Sequence, residues 1–268
     1  MVDWIWRYPL KSAQGESLER VFIGADGPDG DRAWACVTGD GMVVSAKSPR
    51  RWGRMLFVAA ALGDGGEGMF VRVPGRESLR AGTAEADAAL SAWLGARVRL
   101  TREVPPQPRL HRLWPKEPGM LPEWAGGAAG EEVVSGIGGA APGGRFVDFG
   151  AVHLVTTGAL DALERAGAPA DARRMRPNLV LTVEREPVPG DRIQVGPDVT
   201  LRVLVPTPRC AIPAAAQPGL DEAPEVLREI GRHQTEIPGL GRAACFGAYA
   251  QVLSAGTVSV GDPATIAA

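Results

Sequence analysis

The run Leu18-Glu-Arg-Val-Phe-Ile23 passes through Asp26-Gly-Pro-Asp-Gly30 into a second run, Ala33-Trp-Ala-Cys-Val-Thr38. Strand-length segments separated by glycine and Asx residues, which tolerate the positive φ of tight turns, read as an antiparallel β structure. Gly41–Ser45, Met55–Leu62 and Met69–Val73 continue the series, with Gly39-Asp-Gly41 and Gly63-Asp-Gly-Gly66 between them. One helix is expected over Ala84–Leu94, followed by a short strand over Arg97–Leu100.

Strand signals return after Phe146. Val152–Val155, Asn178–Val183, Val199–Val205, Phe246–Leu253 and Thr257–Val260 read as strands, the last two joined by Ser254-Ala-Gly256. Helices are expected at Ala159–Arg165, with Thr157 as its N-cap, and at Asp221–Arg232. Strands and helices do not alternate regularly, which argues against a parallel α/β sheet. The expected fold is therefore mainly β with a few helices (α+β). It is divided into two β-rich, partly closed barrel-like units at residues 1–103 and 146–268, with a Gly/Pro-rich connecting loop at 104–145. In that loop Trp114 and Trp124 are the large anchors, and a structureless stretch of such length is either functional or disordered. Its Gly136-Ile-Gly138-Gly139 imitates a dinucleotide-binding fingerprint. Pro142-Gly-Gly144 follows where that fingerprint needs a helix, so a Rossmann site is rejected.

Composition narrows the classes further. Glycine (35) and proline (23) take 58 of 268 residues, against about 32 at average usage, which excludes a long helical bundle. Hydrophobic residues at 45% and charged residues at 22% suffice for a packed core. A net charge of −2 provides no broad field for nucleic acid or an anionic membrane, so neither is expected as a partner. Three cysteines can form neither a disulfide framework without a remainder nor the four thiolates of an ordinary iron–sulfur cluster. The longest apolar run, Met55–Leu62, is far short of the ~20 residues of a membrane span. The start, Met1-Val-Asp-Trp-Ile-Trp-Arg-Tyr-Pro9, has no basic segment leading into an apolar one, so a cytoplasmic location is expected.

Cys210, in Val205-Pro-Thr-Pro-Arg-Cys210, ends an apolar strand after a proline-bracketed turn and beside an arginine. An adjacent cation favours thiolate, which attacks electrophiles, carries sulfur or binds a soft metal; an inert buried cysteine fits the same pattern. Cys36 and Cys245 lie inside apolar strands and read as structural. Arg173-Arg-Met-Arg-Pro-Asn178 enters a buried strand abruptly, so Arg176 and Asn178 are expected at a strand edge, where guanidinium and amide suit phosphate or carbonyl oxygens. Arg173 reads as a solvated charge. His111, His153 and His233 lack zinc spacing, and His153 reads as a strand residue. Asp26, Asp29 and Asp31 make a turn rather than a calcium loop, and neither a nucleophile elbow nor a P-loop occurs.

Tyr8-Pro-Leu-Lys-Ser12 and Gly30-Asp-Arg-Ala-Trp34 resemble the opening of proteins with an amino-terminal MOSC β-barrel domain. Val152-His-Leu-Val-Thr-Thr157, Arg176-Pro-Asn178, Pro208-Arg-Cys210, Phe246-Gly-Ala-Tyr249 and Gly256-Thr-Val-Ser-Val-Gly-Asp-Pro263 resemble the MOSC domain itself, the module at the carboxyl end of molybdenum cofactor sulfurases. The mitochondrial amidoxime reducing component and its bacterial relatives are the functional analogues. The resemblance implies a molybdopterin-type cofactor at the seam of the two units, with Cys210 as catalytic metal ligand. Lys11, Ser12, Arg32, Arg176, Asn178 and Arg209 fall where the family contacts the cofactor, and Asp148, Thr156, Thr157 and Thr207 come from matching segments. Lys47 stands where an arginine is more common. After Cys210 the chain reads Ala211-Ile-Pro-Ala-Ala-Ala-Gln-Pro-Gly219, where the reducing members are threonine-rich and carry an aspartate. A reductase of this kind, acting on an N-oxygenated small-molecule substrate, needs electrons from a separate donor protein of ferredoxin, flavoprotein or cytochrome type. Neither pyridoxal phosphate nor an iron–sulfur cluster is expected in this chain. Two alternatives stand beside it: a sulfur carrier or transferase using a Cys210 persulfide, and a non-catalytic protein that binds and hands over the cofactor.

Overall fold

The computed structural model describes residues 1–63, 68–137 and 144–267. The turn expected at residues 63–66 and the Gly138-Gly139 pair fall wholly or partly outside them. Val2–Arg7 (β1) leads through Glu16–Ser17 (β2) to a hairpin of Arg20–Gly24 (β3) and Gly27–Pro28 (β4). Ala35–Thr38 (β5), the helix Pro49–Trp52 (α1), Ala59–Leu62 (β6), Met69–Arg72 (β7) and Leu79–Arg80 (β8) follow. Next come the helix Ala84–Leu94 (α2), Val98–Thr101 (β9), and an antiparallel pair, Arg109–Leu113 (β10) with Glu132–Gly136 (β11). Val152–Thr156 (β12), the helix Thr157–Arg165 (α3), Leu179–Leu181 (β13), Arg192–Val195 (β14) and Val199–Pro208 (β15) open the last part. The helix Pro224–Gly231 (α4), Gln234–Ile237 (β16), Gly241–Ser254 (β17), Gly256–Ser259 (β18) and Ala264–Ala267 (β19) close it. With 38% strand and 17% helix the fold is mainly β, of the α+β class, and among the described residues its sheets do not close fully into barrels.

The largest sheet runs β19-β14-β15-β17-β12-β13-β1-β2, with β16 on β17. Only the β12–β13 pair in it is parallel. The amino terminus is thus built into the carboxyl-terminal sheet: β1 pairs with β13, and β3 with β18. Val2, Ile5, Val21 and Ile23 share one core with Leu154, Leu179, Val199 and Leu201. A second core joins Leu10 and Ala13 to Trp52, Met55, Met69, Val71 and Leu90. The segment Tyr8–Ser12 therefore leaves one core and enters the other, and Lys11 and Ser12 line a cleft at that seam.

Several elements differ from the sequence expectation. Gly41–Ser45 makes only a single bridge, Val37 to Val43, because a turn closes from Gly41 N–H to Thr38 O. The first half of Met55–Leu62 lies in a 3₁₀ turn, Gly53–Phe57. Thr156, not Thr157, caps α3, its hydroxyl accepting from Ala159 N at 3.0 Å. Helix α4 starts only at Pro224, a residue suited to the first helical position. The β10–β11 pair lies inside the expected structureless loop.

Candidate functional site

Lys11, Ser12, Arg32, Ser45, Lys47, Asp148, His153, Met175, Arg176, Arg209, Cys210, Ile212 and Tyr249 line one cleft. Counted to its open mouth it encloses about 580 Å³. His153 and Tyr249 project from the paired strands β12 and β17, and most of the other lining residues come from turns and irregular segments between elements. Cys210 follows β15, whose pairing with β17 slips three times, between Thr200 and Leu201, Val203 and Val205, and Pro206 and Pro208. Such bulges bend a strand and re-aim its end. Arg209 N–H then anchors to Ala244 O at 2.9 Å, and Cys210 packs with Ala46, Leu56 and Ile212.

Among the described residues, the non-glycine positions with positive φ are Ser12 (65°), Arg32 (46°) and Arg176 (57°). All three line the cleft. The left-handed region costs an L-residue ~1–2 kcal/mol, and backbone strain of this kind collects at functional sites.

The cleft is strongly cationic. Lys11 Nζ donates to Phe146 O (2.9 Å) and to Asp148 Oδ1 (2.8 Å), and Lys47 Nζ reaches the same oxygen at 2.8 Å. Burial alone would raise the Asp148 pKa, but the two ammonium groups hold it well below the usual range. Burial, with Arg112 nearby, brings the Lys47 pKa down to about 8. Arg32 donates to Asp31, to Asn178 Oδ1 (3.3 Å) and to Arg176 O (3.1 Å). Arg176 is buried and lies 4.3 Å from the Tyr8 ring, with no side-chain hydrogen bond or carboxylate partner among the described residues. Burial lowers its pKa to about 10, so it stays charged at neutral pH.

His153 holds two of these groups in place. Burial and the Arg209 charge keep its pKa well below the ordinary value, so the ring is neutral. Arg209 Nη1 donates to Nε2 at 3.5 Å, which leaves the proton on Nδ1, donating to Arg176 O at 3.2 Å. Arg209 Nη2 also donates to Met175 O at 3.0 Å. The Arg209 Nε and the Thr207 hydroxyl are buried with no partner among the described residues.

Of the sequence-predicted residues, Lys11, Ser12, Arg32, Asp148, Arg176, Arg209 and Cys210 meet in the cleft. Asn178 stands behind it, accepting from Arg32 and from His153 N–H (3.0 Å) and donating to Trp6 O (3.3 Å). Thr207 is buried outside the lining. Thr156 caps α3 and donates to Glu186, and Thr157 shares a hydrogen bond with Thr182 at 3.1 Å; neither lines the cleft. Arg173 pairs with Asp171 as a surface charge, and the buried Arg174 holds Pro213 O and Asp221 O. Burial raises the Cys36 and Cys245 thiols to about 12, in keeping with structural roles. Ser45, Met175, Ile212 and Tyr249 were missed as lining residues, His153 was read only as a strand residue, and Lys47 only as a departure from the more common arginine. The signal for Lys47 was its place in the family resemblance, where an arginine is more common, in a chain with only three lysines.

No group of three or more His, Cys, Asp and Glu side chains is placed to hold a metal ion among the described residues. No helix there is long and apolar enough to cross a membrane. No curated protein matches the sequence. Among solved structures, YiiM from Geobacillus stearothermophilus is similar at 22% identity over 44% of this chain, with a TM-score of 0.32. The match spans 55% of YiiM, about half its length. The YUAD protein from Bacillus subtilis is similar at 12% identity over 98% of this chain and 92% of that one, with a TM-score of 0.45. Residues 1–100 match the MOSC N-terminal beta barrel domain family, and residues 144–265 match the MOSC domain family. MOSC domains are associated with molybdenum-cofactor binding. With both matches in order along one sequence, the chain belongs to the MOSC domain proteins that carry an amino-terminal MOSC beta barrel domain.

Proposed function

We propose that the chain holds a molybdenum–pterin cofactor in this cleft and reduces N-oxygenated small molecules there, with electrons from a separate ferredoxin-, flavoprotein- or cytochrome-type protein. The observation that carries the reading is the convergence of Cys210 with Lys11, Arg32, Lys47, Arg176 and Arg209, five cations against Asp148 and the Arg32-bound Asp31. The residues fit such a group. A lone protein thiol suits a soft metal whose remaining ligands arrive with the cofactor. Guanidinium forks without carboxylate partners suit its phosphate and ring oxygens. The partnerless Arg209 Nε and Thr207 hydroxyl leave further polar capacity beside the thiol.

When bound, the cofactor supplies a two-electron redox couple. The chain's residues do the rest. Cys210 ligates the metal, while Lys11, Ser12, Arg32, Arg176 and Arg209 hold the anionic parts. Neutral His153 fixes Arg209 and the Arg176 carbonyl. Converting N–OH to N–H releases water and consumes two electrons and two protons. Lys47 Nζ and Tyr249 Oη face the same cleft and carry protons at neutral pH. Met175 and Ile212 add apolar wall, favouring an uncharged organic group on the substrate.

The test is molybdenum by plasma mass spectrometry and released pterin by fluorescence, on protein made in a cofactor-competent host. Stoichiometric metal and pterin are expected, with turnover of at least one member of a screened panel of N-hydroxylated compounds by an artificial reductant. Cys210→Ala should abolish turnover and leave the circular dichroism unchanged. Absence of both metal and pterin after molybdate supply, with persulfide on Cys210, would overturn the reading in favour of a sulfur carrier.

A further inference from the structure

Asp148 sits in the irregular segment before β12, two residues beyond Phe146, whose ring is buried with Ala35, Val37 and Leu110. The side chain of Asp148 is 33% exposed, whereas those of Lys11 and Lys47 are 5% and 8% exposed. One carboxylate oxygen bridges both ammonium groups at 2.8 Å, the contact a phosphate oxygen would make. Arg176 and Tyr249 also lie within its field. No other carboxylate is within ion-pair distance of either lysine among the described residues. Two buried lysines without a counter-charge would be costly to hold.

We propose that Asp148 is a built-in counter-anion: in the empty cleft its carboxylate occupies the place that a ligand's phosphate takes between Lys11 and Lys47, and it swings toward solvent when the ligand enters. This rests on the reading of the cleft as an anion site, and it reverses the role that family resemblance implies for Asp148. A cradle residue strengthens ligand binding, whereas a stand-in competes with it. The competition keeps the lysines compensated in the empty protein and lowers affinity for stray anions. A ligand with further contacts to Arg176, Arg209 and Ser12 outcompetes the carboxylate, and a bare anion does so poorly.

The experiment is titration calorimetry of inorganic phosphate into the cofactor-free full chain at pH 7 and low ionic strength. Asp148→Asn should bind phosphate ~10-fold more tightly than wild type, the scale of a like charge removed from a shared site. Asp148→Ser should behave the same way, and thermal melting checks that each variant is folded. Equal or weaker binding by both folded variants, with wild type binding, overturns the stand-in and leaves the cationic cleft in place. Failure of all three proteins to bind phosphate removes both the stand-in and the anion reading. Neither outcome depends on the metal.

Discussion

Arg176 combines three features that rarely occur together: a buried guanidinium, a left-handed backbone, and no carboxylate partner among the described residues. Stacking on Tyr8 offsets part of the desolvation, since a cation over an aromatic face gains ~0.5–2 kcal/mol. The donors of its planar fork are left for a ligand. Arg176→Ala should therefore lower bound pterin several-fold, as read by fluorescence after release, with little change in melting temperature; unchanged pterin would make Arg176 structural. Lys47 gives a second residue-scale prediction. Its folded pKa of about 8 means that the ammonium is charged below that pH and neutral above it. Affinity for sulfate, whose own charge is constant in this range, should fall as pH rises through about 8. Lys47→Arg keeps its charge and should flatten that fall. A wild-type affinity that stays level from pH 7 to pH 9 would contradict the assignment.

At the scale of elements, the cleft depends on how β12 and β17 register. His153 faces Tyr249 across the pair, with ring centroids 5.3 Å apart. Gly247, at φ +76°, lies so close to β12 that a Cβ would meet Leu154 O at 2.3 Å and His153 Nε2 at 3.0 Å. Gly247→Ala should cost ~2 kcal/mol or more from backbone strain and displacement, measured by urea unfolding, and should loosen anion binding through His153. A loss under about 0.5 kcal/mol would show that β17 relaxes freely. Strongly patterned elements were legible in the sequence: α2 occupies the expected Ala84–Leu94, and β15 and β17 contain the expected Val199–Val205 and Phe246–Leu253 but extend to Pro208 and back to Gly241. The missed strands β14, β16 and β19 have only four residues each, several exposed, so their pairing is decided by neighbours distant in sequence. The six-residue β1, Val2–Arg7, was likewise not read as a strand, and its pairing partner β13 lies more than 170 residues away in sequence.

For the whole molecule, the chain ends are woven into one sheet and the cleft takes residues from position 11 to position 249. Motif order identified Lys11, Arg32, Arg176 and Cys210 as partners, because short unusual strings survive without a fold. Lining residues such as Ser45 and Ile212 carry no such string, and only the packed seam brings them together. The buried ionisable groups also set how the molecule responds to alkali. Lys47 is lowered from 10.5 to about 8, so between those values the unfolded chain holds more protons and stability rises with pH. Cys36 and Cys245 are raised from 9.0 to about 12 and Tyr8 from 10.0 to about 12, so above pH 9 the unfolded chain releases protons that the fold retains. Tyr249 is raised in the same way, while Lys11 and Arg176 are lowered like Lys47; two thiols and two phenols outweigh these cations, and stability then falls with pH. The expected profile crests near pH 9 and declines by about 1–2 kcal/mol per pH unit around pH 10, at ~1.4 kcal/mol per proton and pH unit. Urea midpoints from pH 7 to pH 10.5 measure it. Cys36→Ala removes the more deeply buried thiol and should make the alkaline slope clearly shallower, by up to about 1.4 kcal/mol per pH unit. An unchanged slope would mean that Cys36 titrates as freely in the fold as in the unfolded chain, contrary to its 1% exposure in the core behind Leu10 and Trp52.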